Sequence, residues 1–237
     1  MKKIIPYIAS QFKKDKIWLR RNKPSKRQYQ VMLAIDDSRS MADSKSVQTA
    51  YETIAMISSA LTQLEVGAIS IVNFGHDVAL LHPFEEPFDS EAGAKLLSKL
   101  TFKQDKTFFG KLVQKSMAYF ESSRNKTSGK GDEKLWQLEI IISDGHIPDE
   151  DPEKLKRMVR TAAEKRIFMV FIIIDQREKS ITETIKISQV DGKITKSSYI
   201  ETFPFEYFLL VRDIQLLPEV LSDALRQWFE IIQNLAD

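Results

Sequence analysis

Gln30-Val31-Met32-Leu33-Ala34-Ile35-Asp36-Asp37-Ser38-Arg39-Ser40 is the stretch on which the fold turns. Its apolar run, closed by two acids, reads as a strand buried on both faces that ends at a polar edge. Residues 44–64 then show helical spacing. Val47, Ala50, Tyr51, Ile54, Ile57, Leu61 and Leu64 share one face, with Asp43 or Ser44 as cap and Gly67 just past the end. A buried strand, a polar turn and an amphipathic helix form one unit of an α/β sheet.

The alternation continues outward. Residues 68–74 and 78–81 read as strands joined by a turn at Gly75-His76, which predicts a hairpin. A loop with Pro83 and Pro87 leads to helices over 90–100 and 108–123. The polar stretch 122–134, with Gly129 and Gly131, reads as a mobile loop. Residues 138–144 form a fourth strand, again ending in Asp, and 152–165 a helix with Pro152 in its first turn. Residues 167–175 are apolar on both faces, which predicts a central strand.

The rhythm breaks over 176–204. Ile185, Ile187, Ile194 and Tyr199 flank Asp191-Gly192, a dipeptide suited to a type I′ turn, so an inserted hairpin is expected. A last strand over 205–211 and a helix opened by Pro218 complete the chain. Val220, Leu221, Ala224, Leu225, Trp228, Phe229 and Ile232 make that helix's inner face. The expected architecture is one doubly wound, mostly parallel α/β domain over 30–237, with an insertion at about 176–204, behind a basic extension over 1–29.

Composition narrows the chemistry. The 237 residues include no cysteine, which excludes a disulfide framework, a zinc–thiolate site and a thiol nucleophile, and fits a reducing compartment. The run Ile167 to Ile174 is far too short to span a membrane, and Met1-Lys2-Lys3 is not followed by a signal-peptide core. The net charge of +2 conceals a split: residues 1–30 carry ten Lys/Arg against Asp15 alone, or +9, which leaves −7 for the rest.

Asp36, Ser38 and Ser40 alternate on the loop after the first strand, so one carboxylate and two hydroxyls can face a common point. Thr107, just before a helix, offers a third hydroxyl, and Asp144, ending a strand before Gly145, a second carboxylate. In a doubly wound sheet these loops share the carboxyl edge. An all-oxygen donor set with few carboxylates suits a hard cation, Mg2+ ahead of Ca2+ or Mn2+. Asp37, at the variable position, reads as a loop-holding group rather than a ligand. His76 and His82 bracket a hairpin strand and are expected at the surface, while Arg39, Phe108 and His146 are placed on the rim of the site.

Asp36-x-Ser38-x-Ser40, Thr107 in Thr107-Phe108-Phe109-Gly110, and Asp144-Gly145 together resemble the von Willebrand factor A fold and its metal-ion-dependent adhesion site. The resemblance covers roughly residues 30–235. It implies that the two serines and the threonine touch the metal, while Asp36 and Asp144 act directly or through water. A glycine pair usual before the threonine is Asp105-Lys106 here. Residues 17–27 leading into 34–41, and the insertion followed by Phe203-Pro204-Phe205, are further similar to the C-terminal domain of the very large AAA-type ATPases of ribosome assembly. That likeness implies a non-enzymatic module that grips ubiquitin-like domains of WD-repeat assembly factors through an acidic residue. A distant parent ATPase ring would then pull those factors from large-subunit precursors.

Alternatives of other classes follow from the same residues. Asp36, Asp37 and Asp144 could hold Mg2+ for a hydrolase or phosphotransferase, although Ser38 and Ser40 have no base at recognisable spacing and Gly129-Lys130-Gly131 is not a phosphate-binding loop. An extracellular adhesion domain would use the same fold. The basic arm favours the nucleus: Lys13, Lys14, Lys16, Arg20, Arg21, Lys23, Lys26 and Arg27 read as an import patch, with contact to an import receptor or to pre-ribosomal RNA. Tyr7, Ile8, Phe12, Ile17, Trp18 and Leu19 make the arm too apolar for a free tail.

Overall fold

The computed structural model describes residues 28–42, 48, 51–52, 55, 57, 68–127, 135–147, 150–174, 181, 185–190, 193–211, 225 and 228. The basic arm up to Arg27, the Asp191-Gly192 turn and most of the expected first and last helices lie outside these residues. Within them Gln48, Tyr51, Glu52, Ala55 and Ile57 are helical, as are Leu225 and Trp228.

The apolar runs become strands β1 (Gln28–Asp36), β2 (Ala68–Phe74), β3 (Val78–His82), β4 (Leu135–Ser143), β5 (Ile167–Ile174) and β8 (Tyr207–Val211), in the spatial order β3-β2-β1-β4-β5-β8. All neighbours are parallel except β2 and β3, which form the expected hairpin. β1 is flanked by β2 on one side and β4 on the other, so the chain winds both ways from it. This reversal of winding lies at the carboxyl edge, where open α/β sheets bind their ligands. The fifth strand, expected at the centre, lies between β4 and β8, and the central pair is β1 and β4. Strands β6 (Ile185–Val190) and β7 (Lys193–Ser198) pair antiparallel as a separate ribbon, which is the inserted hairpin.

Alternate residues of β1 feed two cores, as strand geometry requires. Val31, Leu33 and Ile35 join Leu96, Leu100, Ile57, Leu225 and Trp228 on one face. Met32 and Ala34 join Phe109, Leu112, Phe120, Leu155 and Ala162 on the other. The first face is covered by α1 (Ser90–Lys99), and the second by α2 (Phe109–Thr127) and α3 (Pro152–Glu164). Asp89 caps α1 by accepting from Ala92 N, and Asp151 caps α3 by accepting from Glu153 N, with Pro152 in the first turn as expected.

Two expectations are corrected. Residues 122–127, read as part of a mobile loop, continue α2, where Ser123 and Arg124 gain buried partners on the sheet. His82, expected at the surface, is buried, because β3 turns its last residue inward beneath Phe88, whose ring it meets edge-on at 5.3 Å. Its Nε2 lies 3.0 Å from Glu86 O. His76 is exposed, as expected.

Polar groups line the contact between α2 and the sheet. Gln30 donates to Ser123 Oγ and Gln137 donates to Gln30, at 2.9 and 2.8 Å. Glu139, in the middle of β4, accepts from Ser116 Oγ at 2.6 Å, but its second carboxylate oxygen is buried without a partner. Burial pushes Glu139 up to about 8, against the lowering effect of Ser116. The folded protein thus holds this group neutral where the unfolded chain ionises it. Stability is full below about 4.5 and falls as pH rises toward about 8. Glu139→Gln should therefore melt close to the parent at pH 4.5 and several degrees higher at pH 8.5, at about 2–4 °C per kcal/mol. Thermal melts across pH 4.5–9 check this; a gain that does not grow with pH contradicts it.

Candidate metal centre

The parallel register places Ile35 beside Ile142, so Asp36 and Ser143 end neighbouring strands together. Ser143 Oγ donates to Asp36 Oδ2 at 2.6 Å, and Ser38 N donates to Oδ1 at 2.9 Å. The aspartate is thus turned inward and fixed from both sides. Burial pushes it up to about 7, and the nearby charge of Asp144 adds to this, while Ser143 and Ser38 oppose it. Two carboxylates are held close enough to repel, an arrangement that a cation between them would relieve.

The hydroxyls match such a cation. Ser38 Oγ and Ser40 Oγ lie 2.9 Å apart. That is close to the spacing of about 3 Å between adjacent oxygens around an octahedral Mg2+ with bonds of about 2.1 Å. Ser38 is buried and Ser40 exposed, so the pair spans the step from protein to solvent. Thr107 is buried two residues before α2 begins. No cluster of three or more His, Cys, Asp or Glu occurs among the described residues. A metal site here would depend on hydroxyls as well as carboxylates.

Asp37 holds this loop in shape. Its Oδ1 accepts from Thr101 N at 2.7 Å and Phe102 N at 2.5 Å. Its Oδ2 accepts from Asn73 Nδ2, Thr101 Oγ1 and Gln104 Nε2 at 3.1–3.2 Å. Five donors fill the carboxylate, so it has a structural role and is no ligand. Phe102 takes φ 51°, a left-handed conformation that presents two successive N–H groups to it. The strand-like contact of Ser38 with Gln104 continues the seam, with Arg39 N donating to Gln104 O at 2.8 Å. This seam ends at Gln104, three residues before Thr107. Gly75 belongs to it too, because a Cβ there would lie 2.5 Å from Gln104 Oε1.

On the other side, Asp144 Oδ1 accepts from His146 N at 3.0 Å. Gly145 takes φ 80°, and a Cβ would meet Ile181 and Ile173 at 2.7 and 2.9 Å, so the Asp-Gly pair is a steric requirement. The N-terminus of α2, next to Thr107, is closed by Glu150, whose two oxygens each accept from Gly110 N at 3.1 Å. Partial burial raises Glu150, while the Gly110 and Phe109 N–H groups oppose this.

Arg39 is exposed and pairs with exposed Asp105 at 2.7 Å, a contact of little stabilising weight. Phe108 is half-buried beneath Lys111 Nζ at 5.1 Å, with His76 against its edge. His146 is exposed. Sequence reasoning missed Ser143, Asn73, Thr101, Gln104, Glu150 and Tyr199. Of these, Ser143 meets Asp36 only because the strands pair one residue out of the alignment of their closing acids, an offset the sequence does not show.

Residues 30–203 match the von Willebrand factor type A domain family. The chain is 45% identical over 236 residues to midasin of Dictyostelium discoideum, covering 99% of this chain and 4% of that protein. It is 36% identical over 237 residues to midasin of Giardia intestinalis, covering 98% and 5%. The chain therefore spans about a twentieth of the length of these relatives. Among solved structures, proximal thread matrix protein 1 from the mussel byssus, with a zinc-occupied MIDAS motif, superposes at TM-score 0.57 and 16% identity over 82% of this chain and 46% of that one. The SpRpn10 VWA domain superposes at 0.56 and 13% identity over 83% and 95%. These two likenesses concern the fold.

Asp37→Ala would leave five donors without their carboxylate. We expect a loss of about 3 kcal/mol or more, seen as a lower denaturation midpoint in urea with an unchanged slope. A variant within about 0.5 kcal/mol of the parent, the range of an ordinary surface substitution, would show that Asp37 does not carry the loop.

Proposed function

The chain belongs to the von Willebrand factor type A family, and on that footing we propose that it is a protein-binding module whose partner is captured through a Mg2+ ion. Ser38, Ser40 and Thr107 hold the ion; Asp36 and Asp144 orient ligands or waters and balance its charge. The observation that carries the reading is the hydroxyl pair 2.9 Å apart beside two mutually repelling aspartates at one edge of the sheet.

A hard divalent ion with few charged protein ligands keeps water-filled positions that an acidic side chain can take over. The chain's own residues do the rest. Asp37 and Gln104 hold the serine loop against the segment before Thr107, so the shape of that loop does not need the partner to set it. Arg39 can leave its exposed pairing with Asp105 for a second acidic group, and Phe108 and His146 offer apolar and polar contact around it. No catalytic role is assigned to these residues; they bind and orient.

Likeness to midasin over nearly the whole chain supports a finer reading. In it, the partner is a ubiquitin-like domain of a WD-repeat ribosome assembly factor, gripped through one acidic residue, and the AAA-type ATPase ring of the parent protein releases that factor from pre-60S particles. The same reading places the chain in the nucleus, with the basic residues of positions 13–27 as its import patch.

Binding of such a ubiquitin-like domain should require Mg2+ and disappear in excess chelator. Thr107→Ala should weaken it at least about 10-fold while moving the melting temperature by no more than about 2 °C. Calorimetric titrations with and without Mg2+, paired with thermal melts, measure both. Equal affinity in chelator overturns the metal-bridged reading.

A further inference from the structure

The inserted hairpin ends at Ser198, and the next residue reaches back to the metal-site loop. Tyr199 OH donates to Gly145 O at 3.1 Å and accepts from Ile147 N at 2.9 Å. One phenol thus holds the backbone on both sides of His146, across 54 and 52 residues of sequence. The ring lies 6.5 Å from His146 in a near-parallel stack and packs on Phe203, which meets Phe171 of β5 at 5.1 Å. The phenol is therefore anchored in the core and aimed at the loop.

The bend that it holds is the one Asp144 uses. Gly145 takes φ 80°, and this curvature lets His146 N donate to Asp144 Oδ1 at 3.0 Å. If residue 199 only filled space, a phenyl ring would serve; the hydroxyl is needed for the two backbone groups, which would otherwise lose their partner. Ser143, preceding Asp144, is likewise fixed, through Asp36 and Gly145 N. Asp144 is thus held from its own side by β4 and from the far side by the insertion.

We infer that Tyr199 is a positioning residue of the metal centre, through which the inserted hairpin sets the direction of the Asp144 carboxylate. The inference rests on the metal-binding reading above. It makes the insertion part of the site and not a separate appendage. Anything that pulled or displaced the hairpin would reach the metal through this phenol.

Tyr199→Phe in the full chain tests it, with Phe168→Leu as a control. Phe168 stacks on Trp136 at the start of β5, at the opposite end of the sheet, so its loss lowers stability without touching the loop. MgCl2 titration by calorimetry and amide exchange at His146 and Ile147 by NMR are the two readouts. Tyr199→Phe should bind Mg2+ about 10-fold more weakly and exchange faster at both amides, while Phe168→Leu titrates like the parent. An unchanged affinity in Tyr199→Phe overturns the inference, and so does an equal loss in the control. If the parent chain takes up no Mg2+, the metal reading falls. Exchange then decides the rest: faster rates at His146 and Ile147 support the clamp, and unchanged rates overturn it.

Discussion

The parallel pairing of β1 with β4 is the constraint on which everything else hangs. β4 is buried along its whole length and pairs in parallel with β1 from Gln28 beside Leu135 to Ile35 beside Ile142. That register brings Asp36 to Ser143 and sets Asp144 one step beyond. The two strands end together at the carboxyl edge of the sheet, with Asp36 buried there and Asp144 partly so.

The loops of the candidate site are held by the chain's own hydrogen bonds. The seam through Asp37 and Gln104 fixes the serine loop, Glu150 closes the helix after Thr107, and Tyr199 braces the Asp144 loop. Asp36 is buried beside another aspartate, and burial pushes its carboxyl up to about 7.

Much of this was legible in the sequence, and the reasons are physical. Strands such as 31–35 and 167–174 announce themselves by unbroken apolar runs, and the hydroxyl–carboxylate spacing at 36, 38 and 40 survives any reasonable loop shape. Thr107 and Asp144 could be placed because each sits at the junction of a strand or helix with a loop. The pattern could not show contacts between distant segments that have no periodicity. Thr101, Gln104 and Asn73 look like ordinary polar loop or strand residues until Asp37 is seen among them. Tyr199 looked like one apolar position of a hairpin, since its hydroxyl matters only through backbone groups more than fifty positions away. His82 and the end of α2 were misplaced for a related reason: polarity suggested solvent, but tertiary partners were waiting.

Asp37 has a consequence for moving this motif elsewhere. A pattern of the form D-x-S-x-S treats the second position as free, and a designer transplanting it would copy three side chains. In this chain the free position is the most heavily bonded carboxylate of the loop, and its partners come from β2 and from residues 101–104. A graft carrying only Asp36, Ser38 and Ser40 would place the right atoms on a loop with nothing to hold it. The portable unit is the loop together with Asn73, Thr101, Phe102 and Gln104, and its natural boundary is a network of hydrogen bonds, not a stretch of sequence.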